Sequence, residues 1–238
     1  MSALYTLGRH TVAPVLRGLW RPWTSGLEHI PATGPAILAS NHLSACDSLF
    51  LPIVAPREIT FWAKAEYFAG NGLKGRVTAA FMRGIRQIPI ERGNGRAALT
   101  ALDVALAVLR EGGLFGIYPE GTRSPDGRLY RGHTGIARIV LEARVPVLPV
   151  AMLGTDRVQP IGAPVPRLGH SIGVRVGPPL DYTSKADGPR NPKLLREITD
   201  DIMAHIRRLS GQEYVDRYAS REKAAPTDRA PRRGRGLD

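Results

Sequence analysis

Ala36-Ile37-Leu38-Ala39-Ser40-Asn41-His42-Leu43-Ser44-Ala45-Cys46-Asp47 is the stretch that decides the reading of this chain. Ala36–Ser40 is a short run of apolar and small residues, the pattern of a strand buried on both faces. His42 follows at the strand's exit, where an open α/β sheet forms its crevice. Asp47, five positions on, reaches back to the imidazole if the intervening residues turn. A carboxylate on one ring nitrogen fixes the tautomer and leaves the other nitrogen to accept a proton. That is the base-and-orienter half of a catalytic triad, without its serine. A substrate hydroxyl would then be the nucleophile. By spacing alone, an Asp47 that caps a following helix is an equal reading.

Outward from this stretch, short apolar runs alternate with helical patterns from Gly26 onward. Residues 36–40, 59–63, 87–90, 114–118, 147–152 and 171–176 read as strands. Residues 49–54, 73–81, 97–110, 135–143 and 192–209 read as helices, and Gly112-Gly113 closes the third of them. The alternation predicts an α/β fold, a single domain with a mostly parallel buried sheet flanked by helices. The 238 residues allow one such domain or a cramped pair. There is no internal repeat. Residues 26–220 are assigned to the domain, and residues 221–238, rich in Arg, Ala, Pro and Gly, to a disordered basic tail.

The first twenty-five residues read differently. Leu4, Leu7, Val15, Leu16, Leu19 and Trp20 recur at near-helical spacing with Arg9, His10 and Arg17 between them. Arg9 sits where the apolar core of a signal peptide would be. The expectation is an amphipathic helix over 1–25, broken or kinked near Pro14 and ending in Trp20-Arg21-Pro22-Trp23. Tryptophans beside arginines suit a bilayer interface, and a helix packed on its own domain is the competing reading. The longest charge-free stretch, His29–Cys46, holds two prolines, two histidines and an Asn, and makes a poor membrane span.

Composition narrows the function classes. Hydrophobic residues at 43% and charged residues at 23% exclude wholesale disorder, and 26 Gly with 20 Pro exclude a coiled coil. The single cysteine, Cys46, excludes an internal disulfide and a cysteine-rich zinc site, and points to a reducing compartment. The net charge is +12, with Arg far outnumbering Lys. Residues 57–96 alone hold eight basic and three acidic residues. Such a field suits a polyanion: nucleic acid, an anionic bilayer or a phosphorylated small molecule. Neither a zinc-finger spacing nor an RNA-recognition sheet motif supports the first.

Three further blocks follow the His-Asp stretch in order. Gln87-Ile88-Pro89-Ile90-Glu91-Arg92 is an apolar run ending in Arg. Tyr118-Pro119-Glu120-Gly121-Thr122-Arg123 is a strand exit whose Pro and Gly bracket a tight turn, with Arg123 offering a bidentate fork to a phosphate. Val145-Pro146-Val147-Leu148-Pro149-Val150 has no reactive group and reads as a buried strand. Taken together, residues 20–180 resemble the lysophosphatidic acid acyltransferase family (1-acylglycerol-3-phosphate O-acyltransferases). The family's N-H-x-x-x-x-D, strand-Arg, E-G-T-R and V-P-[VI]-x-P-V blocks all occur here in the same order. Glu91 departs from the Asp that many members carry there, and keeps the charge. Leu209–Asp216, with the Arg bias, resembles actinobacterial members.

The resemblance implies a glycerolipid acyltransferase domain. His42 would be the general base and Asp47 its orienter. Arg92, Gly121, Thr122 and Arg123 would hold the acceptor's phosphate, Lys64 would be a further phosphate contact, and Glu120 would organise the loop. The implied reaction moves an acyl chain from acyl-CoA or acyl carrier protein to the free hydroxyl of 1-acylglycerol-3-phosphate. Neither metal nor redox cofactor is expected, since passing from thioester to ester is downhill. The expected partners are lysophosphatidic acid, acyl-CoA and an anionic membrane surface, with no nucleic acid. The expected site is the cytoplasmic face of the plasma membrane. A sister enzyme using glycerol-3-phosphate, a lysophospholipid or a glycolipid acceptor is the alternative, and a nucleic-acid-binding protein the remote one.

Overall fold

The computed structural model describes residues 3–84, 86–90, 96–188 and 191–224. Helix α1 (Ala3–Trp20) leads into strand β1 (Trp23–Ser25), then β2 (Ala36–Ser40), α2 (Asp47–Val54), β3 (Ile59–Lys64), α3 (Gly72–Gly84) and β4 (Gln87–Ile90). There follow α4 (Arg96–Arg110), β5 (Leu114–Ile117), β6 (Leu129–Tyr130), α5 (Gly135–Ala143) and β7 (Val147–Leu153). The described part closes with α6 (Thr155–Val158), β8 (Gly173–Val176), α7 (Pro192–Ser210), β9 (Tyr214–Val215) and α8 (Ala219–Ala224).

Seven strands form one sheet in the order β1-β8-β7-β2-β5-β3-β4. From β7 to β4 every neighbouring pair is parallel, and only β8 meets β7 antiparallel. Strand β2 shows why the sheet is buried on both faces. Ile37 and Ala39 point into one core with α4, α5 and α7, while Ala36 and Leu38 point into the other with α2. A side-chain period of two therefore sends every second residue into a different core, and burying each large aliphatic or aromatic one contributes about 1.5–3 kcal/mol. At Gly116 a Cβ would lie 2.2 Å from the Phe61 ring, so β5 needs a glycine where the Phe61 side chain of the neighbouring β3 lies across it. Because β2, β3, β4, β5 and β7 run the same way, their C-terminal ends lie along one edge of the sheet.

The expected mostly parallel α/β domain is present, and three details of the reading change. Helix α1 runs without interruption across Pro14. Ala13 is buried, Leu16 and Trp20 join the core beside α2, and Trp20 meets Phe50 edge-on at 5.7 Å between ring centroids. That packing offsets the roughly 3 kcal/mol an internal proline costs a helix. Residues 23–25, expected to extend the helical segment, form β1 and pair in parallel with β8. Within the expected disordered tail, residues 221–224 are helical, as part of α8. That helix is anchored by the buried Ala219 and by Tyr218, which stacks on His133 with centroids 4.5 Å apart. The rest of the tail, 225–238, lies outside the described residues.

The apolar residues of helix α1 divide between two faces. One face packs on the domain, while Val12, Val15 and Leu19 on the other remain about half exposed.

Candidate active site

The site is built at the C-terminal edge of the sheet. Past the end of β2, residues 43–46 turn and α2 begins at Asp47, which is fully buried. Its Oδ2 lies 2.9 Å from His42 Nδ1 and accepts the backbone N–H groups of Leu43 at 2.7 Å and Ser44 at 2.8 Å. The carboxylate thus serves the turn before α2 rather than the first turn of α2, and the capping reading falls away. Hydrogen-bonded to the carboxylate, Nδ1 carries the proton, so Nε2 is left as the basic atom.

His42 is fixed on its other sides as well. Its ring stacks on Tyr118, with centroids 3.9 Å apart and planes 11° apart. The Tyr118 hydroxyl pairs with Ser48 Oγ at 3.0 Å, and burial together with the nearby Asp47 charge pushes the phenol's pKa well above its ordinary value. Tyr118 is therefore a neutral platform. The main chain of His42 is tied to the Glu120–Ser124 turn at both polar groups. Its N–H donates to Glu120 Oε1 at 3.0 Å, and its carbonyl accepts from Ser124 N–H at 2.7 Å. Glu120, 1% exposed, also accepts the Tyr130 N–H on Oε2 at 2.9 Å. It joins the two motifs across the sheet edge.

Gly121 turns the chain at φ +69° and lines, with His42, a cavity of about 400 Å³. Its other walls include Phe61, Trp62 and Ile90 from the sheet, Ala98 and Ala101 from α4, and Ile136 from α5. Thr122 and Arg123 are half-buried on the same loop. Lys64 closes β3 on this edge, with its side chain outside the described residues, and Arg92 falls just beyond β4, also outside them. Of the sequence candidates, His42, Asp47, Glu120 and Gly121 are brought together here, while Thr122 and Arg123 follow on the same loop without lining the cavity.

Three contributors carried no assigned role in the sequence. Tyr118 stood in the Tyr118–Arg123 block without one, and Asn41 in the His-Asp block. Asn41 is buried, clasps Met152 of β7 through both main-chain groups at 2.7 and 3.0 Å, and donates to Gln212 Oε1 at 2.8 Å. Gln212 in turn donates to the Gly127 carbonyl at 2.7 Å, so one amide links the His motif to the loop after Arg123. Proximity to the motifs was the only signal for the first two. Gln212, far along the chain, lay in the Leu209–Asp216 stretch, which carried a resemblance and no role.

The nearby hydroxyls are engaged, Ser44 with the Gln159 carbonyl and Ser48 with Tyr118. Burial pushes the Cys46 thiol up to about 12, helped by the Asp47 charge and opposed by a hydrogen bond to Ser44, so it stays protonated. A positioned base without an activated protein nucleophile, beside an apolar cavity, is equipped to activate a hydroxyl that arrives with a substrate.

Comparison with known proteins makes the class specific. The family model described as Acyltransferase matches residues 22–153, and the chain belongs to that family. A chloroplastic 1-acyl-sn-glycerol-3-phosphate acyltransferase of Brassica napus is 29% identical over 163 residues, 68% of this chain and 45% of the relative. The Bacillus subtilis protein of the same designation is 26% identical over 187 residues, 78% of this chain and 86% of the relative. The crystal structure of the 1-acyl-sn-glycerophosphate acyltransferase of Thermotoga maritima superposes with a TM-score of 0.58 at 25% identity, covering 86% of this chain and 82% of that one. The chain spans about half the length of the plant relatives it matches.

Proposed function

We propose that the chain is an O-acyltransferase that acylates the free hydroxyl of 1-acylglycerol-3-phosphate and so makes phosphatidic acid. His42 Nε2 takes the hydroxyl proton as the oxygen attacks the carbonyl of an acyl-CoA or acyl carrier protein thioester. The C–O bond forms, the tetrahedral oxyanion collapses with loss of the C–S bond, and the proton passes to the departing thiolate. Asp47 keeps the imidazole in the required tautomer and stabilises the imidazolium. Thr122 and Arg123, with Arg92 and Lys64, hold the acceptor's phosphate, and the apolar cavity takes hydrocarbon. The reaction runs with neither metal nor redox cofactor. The proposed setting is the cytoplasmic face of the plasma membrane, with α1 lying in the interface. Among the described residues no helix is long and apolar enough to cross a membrane.

The observation that carries this reading is the His42–Asp47 pair facing an apolar cavity beside the Glu120–Arg123 turn. Purified protein with radiolabelled acyl-CoA and a panel of acceptors tests it. Labelled phosphatidic acid should be the main product. Preferential labelling of glycerol-3-phosphate, a lysophospholipid or a glycolipid would assign the chain to a sister activity.

A further inference from the structure

Among the described residues, the large hydrophobic side chains left most exposed are not scattered. All but Leu99 lie on α1 and β1, on the segment from Tyr67 into α3, or on the loop between α6 and β8. That loop has a built form. The Arg167 N–H donates to the Val158 carbonyl at 2.7 Å and pinches its base, while Gln159 Nε2 donates to the Ala163 carbonyl at 3.2 Å. Pro160, Pro164 and Pro166 stiffen it. Its apolar residues point outward: Ile161 is 48% exposed, Val165 66% and Leu168 59%. A Cβ on Gly162 or Gly169 would meet nothing within 4 Å, so both stand in open space.

Topology gives this loop its meaning. It leaves the sheet after β7, and α3 follows β3, so both depart from the edge on which β2 delivers His42. Helix α1 packs beside α3, and the Trp20 indole N–H donates to the Arg167 carbonyl at 2.8 Å, joining the end of α1 to the loop. At the loop's base, Ser44, inside the His-Asp motif, donates to the Gln159 carbonyl at 2.7 Å.

Charge identifies the occupant. No acidic residue occurs in α1, in α3 or from Arg157 to Leu180, while these segments carry Arg17, Lys74, Arg76, Arg83, Arg157 and Arg167. Aliphatic tips among cations, with Glu66 beside Tyr67 and Asp156 in α6 as the anions at the border, complement a bilayer containing anionic lipid. A second copy of this chain would set cations against cations, and nucleic acid offers nothing for the aliphatic tips to enter.

We propose that the 159–168 loop is a second membrane-inserting element, which with α1 and α3 seats the catalytic edge of the sheet on an anionic bilayer. The inference rests on the proposed membrane-borne acceptor, whose hydroxyl must reach His42 at this edge. A prolyl loop already folded in solution loses little conformational freedom on insertion.

The test uses the full chain with Leu168→Cys, labelled with an environment-sensitive nitrobenzoxadiazole. Cys46 is buried and protonated, so labelling is selective. Vesicles of phosphatidylglycerol and phosphatidylcholine in equal parts should shift the emission to the blue. Ile161→Ser with Leu168→Ser should weaken vesicle binding at least about tenfold, or about 1.4 kcal/mol. Activity on a water-dispersed short-chain acceptor should persist. An unshifted probe while the protein co-sediments with vesicles would overturn the proposal. So would a shift seen only as lipid-free protein is concentrated, which would mark a contact between copies. A probe that shifts on a protein acylating neither acceptor would refute the proposed activity and leave the docking surface standing.

Discussion

Replacing Asp47 with Asn keeps the shape of the site and removes its charge. Asp47 Oδ2 accepts three hydrogen bonds, from His42, Leu43 and Ser44, while Oδ1 has no partner among the described residues. The Asn carbonyl must take the place of Oδ2, which puts the amide NH₂ where Oδ1 was, buried and without an acceptor. Charge-assisted bonds are roughly twice as strong as neutral ones, so each of the three weakens by about 1 kcal/mol. An unsatisfied buried NH₂ adds about 1–3 kcal/mol, and relief from desolvating a charge returns part of the total. A net loss of about 2–4 kcal/mol lowers Tm by roughly 4–16 °C in a chain of this size. Loss of the charge opposite the imidazolium should slow kcat by about a hundred- to ten-thousandfold. Calorimetry and a thiol-release assay on one preparation read both effects. A variant with unchanged Tm and more than about a third of the rate would refute the roles given to this carboxylate.

Arg123→Ala should weaken kcat/KM for the phosphorylated acceptor by about 2–4 kcal/mol and spare a monoacylglycerol acceptor; equal losses on both would make Arg123 structural. Cys46→Ala and Cys46→Ser should keep most activity. Wild-type protein should resist alkylation at pH 8, since burial holds the thiol's pKa near 12; acyl mass on Cys46 with donor alone would replace direct displacement by a ping-pong mechanism. Gln212→Ala breaks the bridge between Asn41 and Gly127. It should lower kcat by about tenfold with little change in KM, in line with about 1–3 kcal/mol for a buried polar link, and an unchanged kcat would make the bridge incidental.

The parts of the structure legible in the sequence were those encoded locally. Strands β2 and β4 and helix α5 fall on their expected residues, because runs such as Ala36–Ser40 are uniformly apolar and bounded by turn formers. Pairing between His42 and Asp47 was legible as well, since one turn of chain closes it. What was illegible depends on tertiary contact. Pro14 suggested a break, and the packing of Ala13 and Trp20 overrides it. Residues 221–224 have a tail's composition, yet α8 forms where Ala219 is buried. The clasp of Glu120 on the His42 main chain spans 78 positions, and the Asn41–Gln212 bond spans 171. Neither carries a periodic or spacing signal. Glu120 nevertheless entered the site through its motif, whereas the Leu209–Asp216 stretch that holds Gln212 carried a resemblance and no role.

The central claim is that His42 is the base for acyl transfer to a lysophosphatidic acid hydroxyl. The most direct measurement is the rate of labelled phosphatidic acid formation by His42→Ala, on protein shown by calorimetry to be folded. The account predicts a loss of several orders of magnitude, because base catalysis and positioning vanish together. A folded His42→Ala that retained more than about a tenth of the wild-type rate would contradict it.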